Sequence, residues 1–113
     1  MAAVESVIKY SEILRRVLDG EEIIISSKFD LSTDGKYTEG FFAVTRTSLC
    51  VIEDGNVTLI EKISHIEKVC CGEYTGGGIL EAFTEGGRRQ LVRFSMHYIE
   101  KFNAISEVIN DLA

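Results

Sequence analysis

The stretch Val69 to Phe83, VCCGEYTGGGILEAF, holds the densest set of residues suited to chemistry. Gly72, Gly76, Gly77 and Gly78 could cradle a phosphate, and the adjacent Cys70 and Cys71 could ligate a metal. A phosphate loop needs G-x-x-x-x-G-K-[ST] at a strand-to-helix turn, because helix amides and the lysine hold the phosphates. Gly72 and Gly77 have the right gap, but Gly78-Ile79 stands where Lys-Ser/Thr belongs, and the strand-like ILEAF follows. The dinucleotide fingerprint G-x-G-x-x-G fails as well, since Glu81 occupies its third glycine position. The glycines therefore read as a strand-to-strand connection that needs positive φ or close backbone approach.

The other reactive side chains are scattered. Zinc sites usually pair ligands as C-x-x-C. Cys70 and Cys71 are adjacent, so on a strand they face opposite sides. Cys50 is alone in an apolar strand and reads as core. Nucleophilic catalysis needs a base beside the nucleophile and a third group to orient the base. The chain has two histidines, His65 on an expected short strand and His97 in the first turn of the closing helix, and no G-x-S-x-G. Glu39, Glu53, Glu61, Glu67, Glu73 and Glu81 alternate with apolar residues, as on a solvated sheet face. Arg88, Arg89 and Arg93 lie near one hairpin, and Lys28 and Lys36 flank another. Such cations can hold a phosphate or carboxylate, but more often they blunt strand edges. No catalytic, cofactor-binding or metal-ligating residue is assigned, no cofactor is expected, and the chain reads as a non-enzyme.

Composition narrows the class. A chain of 113 residues is one domain, 1–113, and its 45% hydrophobic and 27% charged content are those of a globular protein. The net charge of −6 argues against nucleic acid and against nonspecific binding to anionic lipid. Three cysteines, two of them adjacent, are not a disulfide framework and suggest a reduced, cytoplasmic setting, where the sequon at Asn56 has no consequence. Apolar runs such as Ile23-Ile24-Ile25 are far too short to cross a bilayer, and MAAVESVIKY does not read as a secretory signal.

The elements that must position these residues follow from periodicity. Val4, Val7, Ile8, Leu14, Val17 and Leu18, with Ile13 beside them, predict an amphipathic helix over about 3–19, stopped by Gly20. From Glu21 the period changes to two, and strands are expected over about 21–95. Expected turns fall at Thr33–Lys36, Thr45–Ser48, Asp54-Gly55, Gly76–Gly78 and Glu85–Arg88, and the strand ISHIEKVCCGEY follows NVTLIEK directly. Ser95 reads as the N-cap of a closing helix over about 96–112, with Ile99, Phe102, Ile105, Ile109 and Leu112 as its stripe and Tyr98 and Val108 at its edges. The fold class is thus α+β, mostly β, with about seven antiparallel strands between two helices. Such a meander must curl or split into two sheets to hide its apolar face.

This order of elements resembles a pleckstrin-homology (PH)-like barrel or sandwich, two nearly orthogonal antiparallel sheets capped by a C-terminal helix. Particular residues resemble the N-terminal PH-like domain of certain bacterial ABC exporters: Asp30, Leu31 and Gly35 around the first turn, Thr45 and Arg46, Gly78 and Leu80, then Phe94, Ser95 and Phe102. The resemblance spans Glu21 to Leu112. It implies a non-catalytic interaction or regulatory module, a cytoplasmic fragment of an ATP-driven transporter whose ATPase motifs lie outside this chain. The partner is then protein, through strand edges, the first helix or the hairpin around Gly86-Gly87. The alternative is a stand-alone small PH-like protein that forms homo-oligomers through strand edges and the amphipathic helix. PH domains that bind phosphoinositides carry a basic first hairpin loop, whereas DLSTDGK places Asp30 and Asp34 against Lys36. The resemblance therefore does not extend to direct lipid binding.

Overall fold

A computed structural model describes the backbone of residues 2–113 and the side chains from Tyr10 onward. Helix α1 spans Ala2–Val17. The expected stripe positions Val4, Val7 and Ile8 lie outside the described side chains. Leu14 and Leu18 are buried, with Ile13 and Val17 packed beside them. The helix ends before residue 19, because Asp19 (φ 53°) turns left-handed ahead of Gly20 (φ 74°). The Gly20 amide donates to the Arg15 carbonyl at 3.1 Å, a Schellman closure with Asp19, not Gly20, at its left-handed position.

Seven strands follow: β1 (Ile25–Leu31), β2 (Tyr37–Val44), β3 (Ser48–Glu53), β4 (Asn56–Lys62), β5 (Ile66–Tyr74), β6 (Gly77–Thr84) and β7 (Gly87–Ser95). All pairings are antiparallel, in the order β4-β3-β2-β1-β7-β6-β5. The sheet is single and open, with β4 and β5 at its edges, where a barrel or a pair of sheets was expected. It nevertheless has a seam. β1 and β7 pair only at Leu31↔Arg93, while β5–β6 and β6–β7 pair along nearly their whole lengths.

Several boundaries differ from the sequence reading for local reasons. Residues Glu21–Ile24 form a connector, not strand. The Glu21 amide closes on the Leu18 carbonyl at 3.0 Å, and its carboxylate accepts from the Thr45 and Thr47 hydroxyls at 2.8 and 2.5 Å. Ile63–His65 is a 3-10 turn, so His65 is not on a strand. Gly77 and Gly78 belong to β6 and Gly87 to β7, which shortens the turns to Thr75-Gly76 and Glu85-Gly86. Ser95 makes no side-chain cap, and a 3-10 turn, Met96–Tyr98, precedes helix α2 (Ile99–Leu112). The Ser95 amide instead donates to Asp30 Oδ1 at 2.8 Å, tying the end of β7 to β1 beside the seam.

The core has two parts, on opposite faces of β2 and β3. Phe42, Val44, Leu49 and Val51 face a cluster shared with β5, β6, β7 and α2. Phe41, Ala43, Cys50 and Ile52 face a second cluster closed by Tyr10 and Leu14 of α1 and by Leu18 just past its end. Burial on both faces explains why FFAV and LCVI are uninterrupted apolar runs. Phe102 of α2 joins the halves of the sheet. Its ring stacks on Phe94 of β7 at 4.3 Å and meets Phe42 of β2 and Phe29 of β1 edge-on at 5.7 and 6.5 Å. Aromatic pairs of this kind add about 0.5–1.5 kcal/mol each beyond area burial.

Candidate functional site

The glycine-rich stretch is a hairpin between β5 and β6. Tyr74↔Gly77 and Glu73↔Gly78 pair across it, and Gly76 takes a φ of 90° in the two-residue turn. Gly77 and Gly78 serve close approach. A Cβ on Gly77 would overlap the Phe94 carbonyl oxygen, and one on Gly78 would overlap the Phe94 ring and crowd Ile99. Gly72 pairs with Ile79 inside the same ladder, with a strand rather than a helix beyond the turn.

Cys70 is exposed and Cys71 half-buried against the core, as opposite-facing neighbours on β5. Burial pushes the Cys50 thiol up to about 11. It also raises the Cys71 thiol, with Glu73 adding to the effect. A raised pKa removes thiolate, the nucleophilic form. Among the described residues, no group of three or more His, Cys, Asp or Glu is placed to hold a metal ion.

The three arginines near the β6–β7 hairpin go to three separate partners. Arg88 Nε lies 3.5 Å from Glu81 Oε2, and Arg89 Nη1 lies 3.5 Å from Glu61 Oε2. Arg93 donates to the Thr33 carbonyl at 3.3 Å and sits over the Tyr74 ring, 4.6 Å from its centroid. Glu61 also meets His65 Nδ1 at 3.1 Å through its other oxygen. Glu61, His65 and Arg89 border a cleft of about 540 Å³ that also includes Ser64, Glu67 and Glu85. Glu61 is shared between two basic side chains, and Ser64 makes no hydrogen bond to His65, so the cleft assembles no nucleophile–base pair. His97 lies in the 3-10 turn with its ring edge-on to Tyr98 at 4.9 Å. Burial raises the Tyr98 phenol, helped by Asp30 and then Tyr37. Lys28 and Lys36 lie on β1 and in the β1–β2 turn, both exposed. The Ser32 hydroxyl donates to Asp34 in that turn and is the chief cause of its lowered pKa.

The strand edges are blunted. In β4 the register shifts between Val57 and Leu59, leaving Thr58 as a bulge. At the β5 edge the Asn110 side chain of α2 accepts from the Val69 amide at 2.8 Å and donates to the Val69 carbonyl at 3.0 Å. Its amide thus occupies the place of a further strand. The β4 bulge brings Val57 and Ile60 onto one face, opposite Ile52 and Cys50. Both remain open, at 36% and 44% exposure.

Two further grooves flank the connector. One groove, about 580 Å³, is lined by Leu14, Arg15, Ile23, Ile24, Ser26 and Lys101 among others. A second, about 500 Å³, shares Glu21, Ile23 and Ile24 and adds Arg46, Val108 and Leu112. Ile24, 44% exposed, is common to both. In sequence the Ile23–Ile25 run looks like strand interior, and Arg15 and Lys101 carry no motif that would single them out. Its three consecutive isoleucines straight after a helix stop are the one signal of an apolar patch there.

Neither a protein-family model nor a curated protein matches this chain. Among the described residues, no helix is long and apolar enough to cross a membrane.

Proposed function

We propose that this chain is a non-catalytic, PH-like protein-interaction module that serves as the N-terminal cytoplasmic domain of an ATP-driven ABC transporter. The observation that carries this reading is the seven-strand meander in the order β4-β3-β2-β1-β7-β6-β5, with α2 seated across its seam through Phe102. The residues of the exporter resemblance lend support as fold determinants. Gly35 supplies a φ of 85° in the first turn. Leu80, Phe94 and Phe102 are core, and Thr45 is buried where its hydroxyl donates to Glu21 and accepts from the Ser48 amide. Residues of this kind speak for shared architecture, and function must be argued from surface. Among the described residues the surface offers apolar openings at Ile24 and at Val57–Ile60, which suit a protein partner. The net charge of −6 and the acidic first loop set nucleic acid and anionic lipid aside.

An immunoblot of source cells with serum against this domain tests the reading. A membrane-associated band several times the mass of the 113-residue chain is expected. A single soluble band at the mass of the chain alone would overturn the transporter assignment.

The second reading is a stand-alone protein that self-associates. The open pair Val57 and Ile60 favours it. Since both edges are blunted, the contact is then the sheet face beside α1. Sedimentation of Ile60→Asp beside the parent chain tests this: a parent dimer that becomes monomeric supports it, and a monomeric parent rules it out.

A further inference from the structure

The groove of about 580 Å³ beside the connector combines three features that point to one kind of occupant. Leu14, Ile23, Ile24 and Ile25 give it an apolar lining. Arg15 on α1 and Lys101 on α2 stand on its borders, both exposed, and neither has a carboxylate within ion-pair distance among the described residues. Among its described lining residues the one carboxylate, Glu21, is already engaged by Thr45 and Thr47. In a chain of net charge −6, two unpaired cations beside an apolar lining are a local inversion of sign. The third feature is backbone. β1 meets β7 only at Leu31, so the stretch Ile25–Phe29 has β2 on one side and no strand on the other. Ile25 and Ser26 of that stretch line the groove.

We propose that this groove binds an extended, acidic and apolar segment of a partner polypeptide. Its apolar side chains rest on Leu14, Ile23 and Ile24. Its carboxylates meet Arg15 and Lys101, and its backbone runs along the unpaired side of β1 at Ile25–Ser26. Strand addition of this kind draws affinity from main-chain hydrogen bonds and specificity from alternate side chains. The open backbone edge favours a peptide over a small apolar acid, which has no use for those groups. The second groove, continuous through Ile23 and Ile24, adds Glu22 and Asp111, so the segment's carboxylates stay at the Arg15 and Lys101 end. The proposal rests on the protein-interaction reading and names the partner chemistry of one surface.

The test is an amide-resolved NMR titration of the full chain with the capped peptide Val-Asp-Leu-Glu-Val-Asp-Leu and with its amide counterpart Val-Asn-Leu-Gln-Val-Asn-Leu. Expected are saturable shifts at residues 14–26 and around Lys101 with the acidic peptide. The double variant Arg15→Gln/Lys101→Gln, altered only at exposed positions, should bind roughly fivefold more weakly, the sum of two exposed ion pairs. Its unliganded spectrum reports whether the fold is kept. Absence of saturable shifts, or equal binding of the amide peptide, overturns the proposal. So does dodecanoate shifting the same residues while the acidic peptide does not, since the groove is then a site for a small apolar acid. The native-size immunoblot is a separate measurement, so the module reading and the groove assignment can fail independently.

Discussion

The two halves of the sheet are built to the same strand grammar but are covered differently. In β1–β4 both faces of the central strands are buried, one on the shared core and one under α1. In β5–β7 only the inner face is, and the outer face meets solvent through cross-strand pairs. Lys68 lies over the Phe83 ring at 5.1 Å, Arg88 meets Glu81, and Arg93 covers Tyr74. Long cationic side chains here lay themselves over aromatic surface. One half therefore recruits a helix as a second layer, while the other covers itself with its own polar side chains. The apolar openings at Ile24 and at Val57–Ile60 belong to the first half, one beside α1 and the other on the edge strand β4.

Substitutions can break or sharpen this contrast. Phe102→Ala removes the ring shared by both halves and is expected to cost about 3–5 kcal/mol in urea unfolding followed by circular dichroism. A loss below about 1 kcal/mol would mean that the halves do not share a core at the seam. Leu14→Ala touches only the second layer. It should cost about 2–4 kcal/mol, and hydrogen exchange should speed up in β2 and β3 while β5–β7 keep their protection. Equal loss of protection in all strands would show the layer to be one cooperative unit with the rest. In the half without a second layer, Gly77→Ala forces a methyl group against the Phe94 carbonyl and should cost about 1–3 kcal/mol by thermal melting. An unchanged melting temperature would remove close approach as the reason for that glycine.

The smallest effect concerns the link from the connector to the β2–β3 turn. The Thr47 and then the Thr45 hydroxyl hold the Glu21 carboxyl below its ordinary value. A depressed folded-state pKa contributes stability above the unfolded-state value of about 4.3. That contribution fades as pH falls through the lower folded-state value. Glu21→Gln should flatten stability against pH in that acid window and leave the neutral-side slope unchanged. A parallel displacement of the whole curve would assign the residue a packing role only.

Much of this fold was legible in the residues. The helix-period stripe Phe102, Ile105, Ile109 is buried as expected, and the Asp54-Gly55 turn has both residues left-handed, at φ 49° and 83°. The opposite facing of Cys70 and Cys71 also followed from strand geometry alone. The misplaced boundaries have a common cause. Ile63–His65 and Met96–Tyr98 continue the local pattern of their neighbours, and the 3-10 turns appear where the chain must change direction.

The candidate surface lies at the other extreme. Periodicity and turn chemistry act over a few residues, so the succession of strands along the chain, the two helices and the failure of a phosphate motif could be read from neighbours along the chain. Pairing Arg15 with Lys101 across a groove, capping Val69 with Asn110, placing Phe94 against Gly77 and Gly78, and ending the β1–β7 ladder after one pair join positions far apart in sequence. Such contacts depend on how a twisted sheet packs its helices, and no short-range pattern encodes that angle.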